Sequence, residues 1–303
     1  KGYLSFSTNS GDNLSERVRI TSDGRVLIGG HSSASIVAPG GIEALTTAAG
    51  NIGGARFVAS ALGSDITLAK SRNATLGSHT IVQSGDTIGT IKFRGSDGGE
   101  WVDAAQIIGA VDGTPGDDDM PGRLVFGTTA DGAAAVTERM RIDRDGRLLI
   151  GTAAARTYEQ PMPYGGNDTV PALQLEGAGD SAGTHRIFAH TYNNNDVYAA
   201  THIFGKTRGG AVGGTTIVNN GDPLGILSFQ GSDGSDMEEA ASIRAEVDGA
   251  PGSDDMPGRL VFSTTPDGAH APLERMRINS DGKCLIARTV SDTSGDHPAL
   301  QVK

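Results

Sequence analysis

The sequence predicts an all-β fold in which short antiparallel β-meanders follow one another as tandem repeats. Three observations carry that expectation. First, one pattern recurs. Residues 118–151 begin Asp-Asp-Met-Pro-Gly-Arg-Leu-Val-Phe and end Thr-Glu-Arg-Met-Arg-Ile-Asp-Arg-Asp-Gly-Arg-Leu-Leu-Ile-Gly. Residues 254–287 hold the same frame, ending Leu-Glu-Arg-Met-Arg-Ile-Asn-Ser-Asp-Gly-Lys-Cys-Leu-Ile-Ala. Second, apolar residues alternate with polar ones at the period of a strand, and no window sustains the i, i+3, i+4, i+7 pattern of a helix. The nearest window, residues 36–49, is interrupted by Pro39, Gly40 and Gly41. Third, glycine makes up 45 of 303 residues without a three-residue period, which excludes a collagen helix and supplies turns throughout.

Taken in order, residues 1–30 are the end of a truncated repeat. Leu4-Ser5-Phe6 leads into Glu16-Arg17-Val18-Arg19-Ile20 and then Asp23-Gly24-Arg25-Val26-Leu27-Ile28-Gly29. Residues 31–151 form a full repeat, with a looser segment at 31–80 and a meander at 81–151. The next full repeat, 152–287, has its looser segment at 152–216 and its meander at 217–287. Residues 288–303 open another, because Pro298-Ala299-Leu300-Gln301-Val302 echoes Pro171-Ala172-Leu173-Gln174-Leu175. The two meanders align without a gap at a constant offset of about 136 residues, and about three positions in five are identical. What stays fixed is turn residues and alternating apolar residues, the requirements of a backbone.

Within a meander, residues 88–94 place Ile91 and Phe93 on one face and Lys92 and Arg94 on the other, before the turn Gly95-Ser96-Asp97-Gly98. Ile243, Ala245 and Val247 alternate with Ser242, Arg244 and Glu246 in the second copy. Val111–Gly116 is a further turn, and Asp145-Gly146 joins the last two strands as a hairpin. The expected core is Leu124, Phe126, Met140, Ile142 and Ile150, with Leu260, Phe262, Met276, Ile278 and Ile286. The stretch 152–170, with Pro161, Pro163 and Gly165-Gly166, reads as a linker or long loop. Ala172–Leu175, Thr184–His190 and Ala199–Phe204 are candidate strands.

Composition removes several functional classes. Aromatic residues are 5% of the chain, so each repeat buries a thin core and leans on neighbours or on other chains. The net charge is −11, from 36 acidic and 25 basic residues, and no basic run exists to meet a nucleic-acid backbone. No apolar stretch is long enough for a membrane span. A sequence that opens and closes inside repeats is expected to be a segment of a longer protein.

Candidate chemistry is sparse. Cys284 fills the slot of Leu148 and reads as a small core residue. Asp112 and Asp117-Asp118-Asp119, with Asp248, Asp254 and Asp255, offer oxygen atoms for Ca2+, but their spacing is not that of a twelve-residue calcium loop. A solvated acidic loop explains them better, and no metal or cofactor is assigned. The seven histidines do not repeat at the offset, and none has another one, three or four residues away. Trp101, the single tryptophan, is Met237 in the next copy, so aromatic platforms for a sugar are scarce. No catalytic residues are assigned, and the chain is not expected to be an enzyme. Arg139 and Arg141 recur as Arg275 and Arg277. With Met140 and Ile142 turned inward, strict alternation puts both arginines opposite and Glu138 on the other face. At least one arginine per copy is then expected to pair with an acid or backbone carbonyl of a different strand, in another chain of the assembly.

The run Gly-Arg-Leu-Val-Phe-Gly-Thr-Thr-Ala-Asp-Gly, then Glu-Arg-Met-Arg-Ile and Asp-Gly-Arg-Leu-Leu-Ile-Gly-Thr, resembles the repeated shaft of bacteriophage tail fibres. It is most similar to tail-fibre and prophage-fibre proteins with a C-terminal intramolecular chaperone domain. The resemblance covers residues 1–30, 81–152 and 217–288. It implies an elongated homotrimeric fibre in the virion tail, a shaft holding a receptor-binding tip away from the particle for host attachment. The partners implied are other copies of the chain and other tail proteins. A second reading keeps a host surface glycan as partner, bound or cleaved tailspike-fashion by the looser segments.

Overall fold

A computed structural model describes residues 2–9, 14–28, 42–44, 57, 59, 61, 63–161, 168–177, 191, 199–287 and 300–302. The described residues form eighteen strands and contain no helix. They are β1 (Leu4–Asn9), β2 (Leu14–Ile20), β3 (Val26–Ile28), β4 (Ile42–Ala44), β5 (Thr87–Ser96), β6 (Trp101–Val111), β7 (Gly122–Thr129), β8 (Val136–Ile142) and β9 (Leu148–Ile150). The second half carries β10 (Tyr158–Glu159), β11 (Asp168–Thr169), β12 (Leu173–Leu175), β13 (Pro223–Ser232), β14 (Met237–Val247), β15 (Gly258–Thr264), β16 (Leu273–Ile278), β17 (Cys284–Ile286) and β18 (Leu300–Val302). The chain divides into two compact units, Lys1–Gly151 and Thr152–Lys303.

In the first unit, β1-β2-β3-β4 make one sheet, and β5, β6, β7, β8 and β9 are successive antiparallel neighbours in another. In the second unit, β13-β14-β15-β16-β17-β18 form one sheet, and β10 pairs with β11. The expected all-β class and antiparallel meander are therefore present. Parallel pairing occurs where β4 joins β3 and β18 joins β17. The candidate strand 172–175 is β12, whereas 199–204 carries no strand and 184–190 lies outside the described residues.

Local chemistry sets the meander. At the β8–β9 turn the Asp143 carboxylate accepts the backbone N–H of Asp145 at 3.0 Å and of Arg147 at 2.9 Å, while Gly146 supplies φ 77°. Asn279 and Thr21 take the same place in the other copies, each accepting from the residue four ahead. The acidic run before β7 is a tight turn: Gly116 pairs with Asp119 across Asp117-Asp118, and Asp118 adopts φ 53°, a region Asp tolerates. Gly252, Asp255 and Asp254 (φ 55°) reproduce it.

The sheet faces divide differently from the expectation. Across the first unit Ile108, Val125, Arg141 and Leu149 sit opposite one another, and Val125 and Leu149 are buried. In the second unit Arg244, Val261, Arg277 and Leu285 repeat the row, with Val261 and Leu285 buried. Among the described residues the buried apolar side chains are those of this face together with Leu27, Val82, Ala110, Val111, Val218 and Val247, and none of the ten residues read as core from the sequence is among them. Period two assigned each strand its two faces, but not which face the chain covers.

A strap before each edge strand belongs to the same architecture. Arg72 holds the Asp86 carboxylate through two hydrogen bonds of 2.6 Å, and Val111 N–H donates to the Asp86 carbonyl. Arg208 and Asp222 do the same at 2.6 and 2.7 Å, with Val247 N–H on the Asp222 carbonyl. The end of each looser segment is thus as regular as the meander it precedes.

Candidate functional site

Each sheet presents an apolar face. In the first unit Ile91, Ile107, Phe126, Met140 and Ile150 stand directly opposite one another across five strands. Leu124, Ile142 and Leu148 form the adjacent row on that face. In the second unit the rows are Leu227, Ile243, Phe262, Met276 and Ile286, then Ala245, Leu260, Ile278 and Cys284. Phe6, Val18 and Ile28 start the same arrangement in the first sheet. Leu124 is 45% exposed, Ile142 40%, Leu260 42% and Ile278 38%, and the other six expected core residues are half-buried. Contiguous apolar surface of this kind marks an interaction face.

The opposite face carries the arginines, in an arrangement that alternation did not anticipate. Between Phe126 and Gly127 the β7–β8 register shifts: Phe126 faces Met140, but Gly127 faces Glu138. Arg139 is the extra residue of a β-bulge, which puts Glu138 and Arg141 on one side. Arg141 therefore forks onto Glu138 of its own strand, Nε to Oε1 at 2.6 Å and Nη2 to Oε2 at 2.8 Å. That hydrogen-bonded carboxylate holds the guanidinium in its charged form more firmly than usual. Arg139 donates to the Thr128 hydroxyl at 3.0 Å. Arg277–Glu274 with Arg275–Thr264, and Arg19–Glu16 with Arg17–Thr8, are the same device at equivalent bulges. The expected partner on a different strand is thus a threonine hydroxyl, and the carboxylate comes from the arginine's own strand.

The acidic turns show a similar division of labour. Asp112 pairs with Arg123 at 2.8 Å and accepts the Arg144 backbone N–H, and Asp248 pairs with Arg259 at 2.7 Å and accepts that of Ser280. Asp117 and Asp118 shape the turn and face solvent. Cys284 is a free, half-buried thiol in the apolar row.

The two units differ in how β6 and β14 are partnered. On β6, Asp103 binds Lys92 at 2.7 Å and Arg94 at 2.6 Å, and these partners hold its carboxyl below the usual range. At the corresponding positions the second unit has Glu239, Ser228 and Gln230. Released from that ion pair, this edge receives β10: the Gln230 amide donates to the Glu159 carbonyl at 2.8 Å, and Glu239 N–H donates to Glu159 Oε2 at 2.6 Å. A cleft of about 500 Å3 opens beside it, lined by Tyr158, Pro171, Gln174, Ser228, Gln230 and Met237 among others. His270, from the β15–β16 turn, completes the cluster with Glu159 and Glu238. Sequence reading did not find this trio, whose members lie far apart in the chain. The signal present is a departure from the repeat: Glu238 and His270 stand where the first copy has Val102 and Ala134.

The molecule is similar to the carboxy-terminal domain of the bacteriophage T5 L-shaped tail fibre, with a TM-score of 0.61 and 13% identity over 81% of this chain and 95% of that one. The chain has the fold of a phage tail-fibre domain. The same T5 domain with its intramolecular chaperone domain gives a TM-score of 0.59 and 15% identity over 81% of this chain, which spans 65% of that one. No protein-family model matches the sequence, and no curated protein matches it.

Proposed function

We propose that this chain is a shaft segment of a phage tail fibre, associating as a homotrimer and positioning a receptor-binding tip for host attachment. The observation that carries the reading is the apolar face of each sheet, its rows aligned strand to strand and only partly covered in the single chain. A face holding Phe126, Met140, Leu124 and Ile142 costs free energy while wet, about 25 cal/mol for each Å2 left in water. Identical chains supply a matching surface, because closed symmetry lets one patch serve every copy. The fold shared with the T5 tail-fibre domain supports the same reading. Fibre partners would then be further copies and neighbouring tail proteins, in a virion.

Molar mass by light scattering tests this directly. The expected species has three times the 31.0 kDa of one chain. A monodisperse species of one chain mass under native conditions overturns the trimer.

A further inference from the structure

We infer that Glu159, Glu238 and His270 form a binding site for one divalent transition metal, zinc being the ion that the donor set fits. One oxygen from each carboxylate and one imidazole nitrogen lie within 4.8 Å of one another. His270 Nε2 is 3.6 Å from Glu159 Oε1, and His270 Nδ1 is 3.1 Å from Glu238 Oε2. Zinc takes imidazole nitrogen and carboxylate oxygen at about 2.0–2.2 Å, so its ligand atoms stand roughly 3.4 Å apart in a tetrahedron. The two printed separations run from different ring nitrogens, so gathering both carboxylates about one nitrogen at that spacing takes a movement of the imidazole and of Glu238. Two members are free to make it, since Glu238 is partly exposed and His270 mostly so.

The burial of Glu159 points independently to a cation. Its side chain is only 7% exposed. One oxygen is occupied by the Glu239 N–H, whereas Oε1 receives no hydrogen bond from the described residues and faces the His270 ring. Among the described residues no Arg or Lys pairs with Glu159 or Glu238, and His270 is their basic partner. A buried carboxylate without a cation or a full set of donors carries a desolvation penalty that a bound metal removes. The fold does not demand these residues, because the equivalent strand and turn of the first unit carry Val102 and Ala134. A donor set of one nitrogen and two oxygens favours zinc over calcium or magnesium, which prefer oxygen alone. Bound there, the ion would tie β10 to β14 and to the β15–β16 turn.

Equilibrium dialysis of the full chain against ZnCl2, with Co2+ absorption spectroscopy as a probe of coordination, tests the site. The expected result is one ion per chain and a visible tetrahedral Co2+ spectrum. Because His270 projects into solvent, His270→Ala leaves the fold intact; it should weaken binding at least tenfold and abolish the spectrum, and Glu238→Gln should weaken it. Equal uptake by wild type and His270→Ala, or no uptake by a wild-type protein with unaltered thermal unfolding, overturns the proposal. So does binding of Ca2+ or Mg2+ in preference to Zn2+.

Discussion

At the scale of the residue, the recurring ion pairs make two predictions. Arg141 and Arg277 each grip a glutamate with both ends of the guanidinium, in surroundings that leave their side chains 13% and 15% exposed. Arg141→Ala or Arg277→Ala should lower stability by about 1–3 kcal/mol in chemical denaturation, between the values for exposed and fully buried pairs. The loss should persist at high salt, because partly buried pairs are weakly screened. An unchanged midpoint would show the pair to be solvated decoration. The second prediction concerns acid. The Arg72 and Arg208 guanidiniums hold the Asp86 and Asp222 carboxyls far below the usual range, helped by the Gln83 and Asn219 backbone N–H groups. A carboxyl with a depressed folded pKa stabilises fully above its unfolded value of about 3.9, and that stability is lost as pH falls toward the folded one. The melting temperature should therefore drop below about pH 4. Asp86→Asn with Asp222→Asn should flatten that drop.

At the scale of the element, the bulge opposite Gly127 decides where the arginines point. A Cβ added at Gly127 would lie 2.5 Å from Val136 Cγ1 and 3.2 Å from the Thr137 carbonyl oxygen. In the second unit the equivalent pair is Ser263 and Pro272, so a side chain is accepted there. Gly127→Ala should cost about 1–3 kcal/mol by overpacking. Adding Val136→Ala should restore part of it, whereas equal losses in single and double variants would remove the steric explanation. The straps obey a related constraint. A Cβ on Gly89 would meet Leu68 Cβ at 2.5 Å, and one on Gly225 would meet Phe204 Cβ at 2.4 Å. Glycine at these points lets the strap lie against the first strand of the sheet.

At the scale of the whole molecule, the predictions turn on what covers the apolar faces. If other chains cover them, Phe126→Ala and Phe262→Ala should each cost about 3–5 kcal/mol and make the melting temperature depend on protein concentration. If water covers them, the cost falls well below that and concentration has no effect. A shaft segment also implies no hydrolysis: incubation with host surface polysaccharide should release no reducing ends. Release abolished by Glu159→Gln or Glu238→Gln would instead favour a tailspike-like module at the cleft of the second unit.

The sequence by itself determined the all-β class, the strand order within each meander and the turns that join them. Those properties are local: period-two alternation, Asp-Gly turns and a pattern recurring at one offset are written in contiguous residues. Three things required the tertiary structure. Alternation separates two faces but is symmetric between them, so Val125 and Leu149, not Leu124 and Phe126, proved to be the single-chain core. A bulge inserts one residue into the count, so Glu138 and Arg141 came to share a face that strict alternation denied them. The meeting of Glu159, Glu238 and His270 depends on β10 docking against β14 and on a distant turn. No short stretch of sequence encodes that meeting, because each contact closes a long loop whose ends carry no mark of one another.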